Sequence, residues 1–149
     1  MSIKIDLEFE TKLDSELLSV GISTRLIRLI ASLRLKTSKA WTDPYKAIID
    51  TGSPITLIPK HVWEKVSIKR IFPTSIKLLG LGSGTLSGKL AQVLIIFLDK
   101  KGLSPPISLK ALLVDSDTVP LIIGFEDVLT DIKLVCDYIS KTAFFKIYS

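Results

Sequence analysis

The sequence predicts an all-β chain, and three observations predict it. Apolar runs are short and recur throughout. Several alternate strictly between apolar and polar residues. Turn-forming Gly, Pro, Ser and Asp clusters separate them. With 149 residues and a hydrophobic fraction of 47%, the chain is long and apolar enough for one domain with a sizeable core, and its composition argues against disorder.

The elements follow in order. Ile3, Ile5, Leu7 and Phe9 alternate with Lys4, Asp6, Glu8 and Glu10, as expected of a half-buried strand. Residues 12–24 fit no single pattern, although LDSELL can open a short helix. Residues 26–36 fit two: Leu29, Ala31, Leu33 and Leu35 keep period two, whereas Leu26, Ile30 and Leu33 form a helical stripe with Ser23 as cap. After the loop TSKAWTDP comes the apolar run Tyr45 to Ile49. Pro54 and Pro59 bracket Ile55 to Ile58, and Pro59 can start a short helix with Val62 and Val66 on one face. Strands are expected at 74–80 and 89–98, with Gly80 to Gly88 as a hairpin tip between them. Ile107 to Val114 and Val119 to Ile123 read as strands, Phe125 to Thr130 as a short helix, and 132–138 and 142–148 as two strands around the turn Ser140-Lys141. No internal repeat or low-complexity linker interrupts the series.

Composition narrows the function. The net charge of +5 is spread along the chain, and its densest spots, Lys65 to Arg70 and Lys100-Lys101, lack interleaved aromatics; no nucleic-acid partner is expected. No apolar run approaches the roughly 18 residues that span a bilayer, and MSIKIDLEFE has no secretory pattern, so no membrane partner is expected. Cys136 is the only cysteine; it forms no internal disulfide, reads as a buried thiol, and makes a reducing cytoplasm the expected location. His61 stands alone, so no metal site is expected, and no other cofactor is expected either. The Gly-rich stretch lacks the Lys-Ser/Thr of a phosphate loop, and no strained elbow presents a serine nucleophile. Trp41 and Trp63 read as packing residues.

The sharpest local signal is Ile48-Ile49-Asp50-Thr51-Gly52-Ser53. An apolar strand that ends on Asp, with Gly two places later, sets a carboxylate on a tight turn. Alone, such a triplet is an ordinary capped turn. Here it is followed by the Gly-rich hairpin and then by Val119-Pro120-Leu121-Ile122-Ile123-Gly124. In that order the motifs resemble the retropepsin-like aspartic proteases, and the tail Phe125-Glu126-Asp127-Val128-Leu129 with Ile132 to Asp137 resembles cellular bacterial and archaeal members. The likeness covers about residues 26–148.

The resemblance implies a retropepsin-like acid protease barrel with a flap hairpin and one or two short helices, and it makes 26–36 a strand. It implies that Asp50, Thr51 and Gly52 form the catalytic loop, Thr51 reaching across to a partner loop and Ser53 bonding the outer carboxylate oxygen. Ser53, Pro54 and Ile55 would line the substrate, as would Gly82, Ser83, Gly84, Thr85 and Leu86 on the flap. Ile122, Ile123 and Gly124 would pack beneath the loop. Asp115 and Asp117 are not followed by Gly, so there is one catalytic loop per chain, and the resemblance implies a homodimeric endopeptidase acting on peptide or protein substrates. Residues 1–25 would be an N-terminal extension; Ile3–Phe9 and Thr142–Tyr148 are the expected interface strands. Two positions depart from the viral pattern. Pro54 replaces an acidic residue whose N–H holds substrate, and Phe125 replaces that acid's arginine partner. A catalytically inactive dimerisation or peptide-binding module of the same fold is the alternative.

Overall fold

The computed structural model describes residues 1–79 and 85–148. Strands hold 53% of the chain and short helices 10%, so the protein is predominantly β. The elements are β1 (Ser2–Asp6), β2 (Glu8–Leu13), α1 (Ser15–Ser19), β3 (Arg25–Leu35), β4 (Tyr45–Ile49), β5 (Thr56–Ile58), α2 (Lys60–Trp63), β6 (Arg70–Leu79), β7 (Thr85–Leu98), β8 (Ile107–Val114), β9 (Ile122–Ile123), β10 (Lys133–Asp137) and β11 (Thr142–Tyr148).

The larger sheet runs β2-β3-β4-β9-β5-β8-β7-β6, and β3 also pairs with β7 through Ser32↔Leu98 to Leu35↔Ile95. Its pairings therefore return on themselves through β3, β4, β9, β5, β8 and β7. The smaller sheet is β1-β11-β10, all antiparallel. Alternation dictates what lies between the sheets. Ile5 and Leu7, Leu29 to Leu35 on one face of β3, Val93, Ile95 and Phe97 in β7, and Phe145 and Ile147 in β11 form one buried cluster. Phe97 and Phe145 meet edge to face at 5.0 Å, joining the two sheets. A smaller cluster of Ile55, Leu57, Leu112 and Val114 lies apart from it.

Several boundaries differ from the sequence expectation, each for a physical reason. The first strand is two. Asp99 Oδ2 accepts the Asp6 N–H at 2.8 Å, the Leu7 N–H donates to Ala143 O at 2.9 Å, and the chain passes there from the small sheet to the large one. The alternation survives the crossing because Ile5 and Leu7 stay buried. LDSELL does contain a helix, α1, capped by Asp14 Oδ1 accepting from Glu16 and Leu17 N–H. Residues 26–36 form the strand β3 rather than a helix.

Strand β6 begins at Arg70, before the expected 74, with an irregularity between Ile71 and Ser75 around Pro73, which has no N–H for the ladder. Strand β7 begins at Thr85, so Gly88 is not at a hairpin tip but pairs with Val114. A Cβ there would lie 2.4 Å from Leu113 O, which is why glycine fits that strand. Residues 80–84, the remaining expected tip, lie outside the described residues.

Only Ile122–Ile123 of the expected 119–123 strand is regular; Pro120 cannot donate to a ladder. Phe125–Leu129 is a wide turn rather than a continuous helix, broken by extended Glu126 and by Asp127 at φ 63°. Asp127 tolerates that left-handed backbone and is held by Lys110, whose N–H and Nζ reach Oδ2 at 2.8 and 2.9 Å. Cys136 is half-buried rather than fully buried.

Candidate active site

Strand β4 delivers Asp50. It lies between β3 and β9, pairing antiparallel through Leu29↔Ile49 and parallel through Ile48↔Ile122 and Ile49↔Ile123. The Asp50 N–H extends the parallel ladder by donating to Ile123 O at 3.0 Å. The chain then turns. Ser53 N–H returns to Asp50 O at 3.1 Å, and Gly52 N–H donates to Asp50 Oδ1 at 2.8 Å. No other hydrogen bond reaches this carboxylate among the described residues, so Oδ2 is uncommitted, and the side chain is half-exposed.

Gly52 is required for a different reason than turn freedom. Its φ is not in the left-handed region; a Cβ would instead lie 3.2 Å from Asp50 Oδ1 and crowd the N–H contact. The Thr51 side chain is exposed, and its hydroxyl has no hydrogen-bond partner among the described residues. Ser53 does not do what the resemblance implied. It is buried, and Oγ donates to Ile55 O at 2.7 Å, turning inward to brace the loop instead of bonding the carboxylate.

The Ile122-Ile123-Gly124 segment runs beside β4 and β5 in the sheet, and Gly124 meets the loop that joins them. A Cβ on Gly124 would lie 2.4 Å from Ile55 O and 2.7 Å from Ser53 O, so only glycine allows this approach. Phe125 N–H donates to Ser53 O at 3.0 Å and Glu126 N–H to Pro54 O at 3.1 Å. Pro54 and Phe125, the two departures from the viral pattern, are therefore neighbours in space. Both are exposed, and no charge is left unpaired between them.

The structure thus gathers Asp50, Thr51, Gly52, Ser53, Pro54, Ile55, Ile122, Ile123 and Gly124 into one hydrogen-bonded unit. Thr85 and Leu86 have strand backbone, paired with Leu79 and Leu78. Gly82, Ser83 and Gly84 lie outside the described residues. One member of the unit escaped the sequence reading: buried Thr56, whose Oγ1 accepts the Gly124 N–H at 3.2 Å. Its signal was a lone hydroxyl within the apolar run Ile55 to Ile58.

The remaining polar groups serve elsewhere. His61 Nδ1 meets Asp117 Oδ1 at 2.8 Å on the surface, and the His61 backbone N–H, with the ring, holds Asp117 below the usual carboxylate range. Lys60 pairs with Asp115 at 3.4 Å, so both acids secure the start of α2. Two open cavities, of about 480 and 520 Å³, are lined by other residues: one by Ile30, Ser32, Leu98 and Asp99, the other by Trp63, Ile71, Lys89 and Leu113. No helix among the described residues is long and apolar enough to cross a membrane.

No protein-family model matches the chain, and no curated protein matches its sequence.

Proposed function

We propose that the protein is an aspartic endopeptidase of the retropepsin-like class, its sheet a closed barrel, and that two copies of Asp50 make one active site. The observation that carries this reading is the Asp50 carboxylate itself. One oxygen is oriented by the Gly52 N–H, the other is uncommitted, and the loop is fixed from below by a strand that tolerates only glycine.

A single such loop cannot perform the chemistry. A two-fold dimer sets Asp50 beside Asp50 of the second copy, and two carboxylates about 3 Å apart share one proton. The ionised member takes a proton from a water molecule, whose oxygen attacks the scissile carbonyl carbon. The protonated member donates to the carbonyl oxygen, and collapse of the tetrahedral intermediate passes a proton to the leaving amine. The exposed Thr51 hydroxyl, unpartnered among the described residues of one chain, is free to bond the second copy's loop. β6 and β7 pair through Leu78↔Leu86 and Leu79↔Thr85, and the resemblance makes this pair the flap over the peptide.

One observation favours a second reading, a peptide-binding or dimerisation module of the same fold without catalysis. Exposed Pro54 has no N–H to offer a substrate backbone. Incubation with a mixed peptide library at several pH values separates the two. The protease reading expects cleavage that declines at alkaline pH, where the shared proton is lost, and vanishes in Asp50→Asn. Peptide binding without cleavage by the wild type would establish the module instead.

A further inference from the structure

Strand β3 does not stop where β4 stops. The last pair is Leu29↔Ile49, and from Arg28 back to Arg25 the strand is paired only with β2, through Glu10↔Arg28 to Leu13↔Arg25. Together with α1 these strands form an arm. At ~3.4 Å per residue its strands reach about 14 Å beyond Leu29, on the side where Asp50 sits, with α1 and its flanking turns farther out.

The arm is ordered but has no core of its own. Asp14 caps α1, its N–H donates to Thr24 O at 2.8 Å, and α1 buries no residue. On one face of the hairpin, Phe9 and Leu29 pack into the main cluster. The same stripe continues outward through Ile27 and Leu13, which are 45% and 54% exposed. Beyond them Leu17, Leu18, Val20 and Ile22 add exposures between 36% and 69%. Leu26 is exposed as well, but it pairs with Lys12 and faces the other side of the hairpin. Without it the arm presents on the order of 500 Å² of apolar surface, a large patch for a monomer and a substantial part of the ~800 Å² each partner gives a specific interface.

Of the terminal strands, β11 has β1 on one side and β10 on the other within the same chain, so a partner strand could add only at the outer edge of β1 or β10.

We propose that this arm is the dimerisation element and that its occupant is a second copy of the chain. The inference rests on the paired-Asp50 reading. If a two-fold axis passes beside Asp50, whatever projects past Asp50 along β4 crosses to the other subunit, and each arm lies along its partner. The arm's apolar stripe is then covered, and the active site is assembled by the contact that covers it.

The test compares wild type with two arm variants: a triple variant, Leu17→Gln, Val20→Gln and Ile22→Gln, and a replacement of residues 14–24 by Asn-Gly, a turn that suits the Leu13↔Arg25 pair. Asp50→Asn is measured beside them. Sedimentation equilibrium gives the dimer constant, thermal melting reports the fold, and peptide cleavage is followed against protein concentration. The wild type should be a dimer. At least one folded arm variant should dissociate about 100-fold or more readily and recover cleavage per chain as concentration rises. Asp50→Asn should dimerise normally and cleave nothing. Folded arm variants that all keep the wild-type dimer constant, or a monomeric wild type, overturn the inference. So does an arm needed only for binding to anionic lipid vesicles. A wild type that dimerises through the arm yet cleaves no peptide leaves the arm standing and removes the protease. A cleaving dimer indifferent to the arm does the reverse.

Discussion

Two aspartate-led turns in this molecule look alike in sequence and differ in what their carboxylates are committed to. Asp99 opens Asp99-Lys100-Lys101-Gly102, and both of its oxygens are engaged. Oδ1 accepts the N–H groups of Lys101 and Gly102, while Oδ2 accepts that of Asp6 in another strand. Asp50 opens Asp50-Thr51-Gly52 and accepts one N–H on one oxygen. The first carboxylate is a structural clasp, holding β1 where the chain changes sheets. The second contributes little to holding its own loop, which is secured by backbone contacts from Ile123, Gly124 and Phe125. A carboxylate that its surroundings do not consume is available for chemistry.

The comparison is broken most directly at Asp50. Asp50→Asn keeps an acceptor for the Gly52 N–H, so the melting temperature should stay within about a degree or two, while peptide cleavage falls at least ~1,000-fold, about 4 kcal/mol of transition-state stabilisation. A variant that cleaves at a tenth of the wild-type rate would remove Asp50 from the chemistry. Gly124→Ala attacks the backing instead. Its methyl would lie 2.4 Å from Ile55 O, and urea titration should show a loss of about 3 kcal/mol, with activity falling because the Asp50 loop is displaced.

Asp99→Ala sharpens the contrast. It leaves three N–H groups without their acceptor and should cost about 1–3 kcal/mol, with cleavage at low temperature unaffected. The pH dependence has the same origin. Burial pushes the Asp99 carboxyl up, but the N–H groups of Asp6, Lys101 and Gly102, with the Lys101 charge, outweigh it and hold the group below its ordinary value. For Asp127 burial again acts upward and is outweighed by the Lys110 hydrogen bonds and charge. A depressed folded value means these groups stabilise the fold above the unfolded value near ~3.9, and that this contribution is lost as pH falls through the folded values. Chemical denaturation between about pH 5 and 2 should therefore show stability declining, less steeply in the double variant Asp99→Asn, Asp127→Asn. The smallest effect belongs to Ser53→Ala. Losing the bond to Ile55 O should cost about 1 kcal/mol and leave cleavage within a few-fold, since Oγ does not touch Asp50.

What the sequence revealed follows from this distinction. The Asp50 loop and Ile122-Ile123-Gly124 were legible because each residue answers a local demand: an apolar strand, a carboxylate, a glycine where no Cβ fits. Ser53 was misassigned although its partner, Ile55 O, is two residues away, because the turn could present its hydroxyl to either side. Thr56 was missed because its partner, the Gly124 N–H, is brought to it only by the pairing of β9 with β5 from far along the chain. The split of the first strand was invisible for the same reason, since Asp99 and Ala143 impose it from far along the chain. Gly88 was read from composition as a turn residue, whereas its cause is the neighbouring strand β8. The ambiguous 26–36 segment was settled by the motif that follows it, not by its own periodicity.

The pairing of Ser2 with Tyr148 has a consequence for how the protein comes into being. During synthesis β1 leaves the ribosome before the other strands described and must wait for residues 142–148 before β11 can receive it. The hairpin of β2 and β3 can form early from neighbouring residues. The small sheet closes a loop nearly as long as the chain described, which is entropically costly and slow. A nascent chain therefore carries Ile3 and Ile5 uncovered until β11 has been made, and the step that buries them is also the one that brings residues 2–6 and 144–148 together.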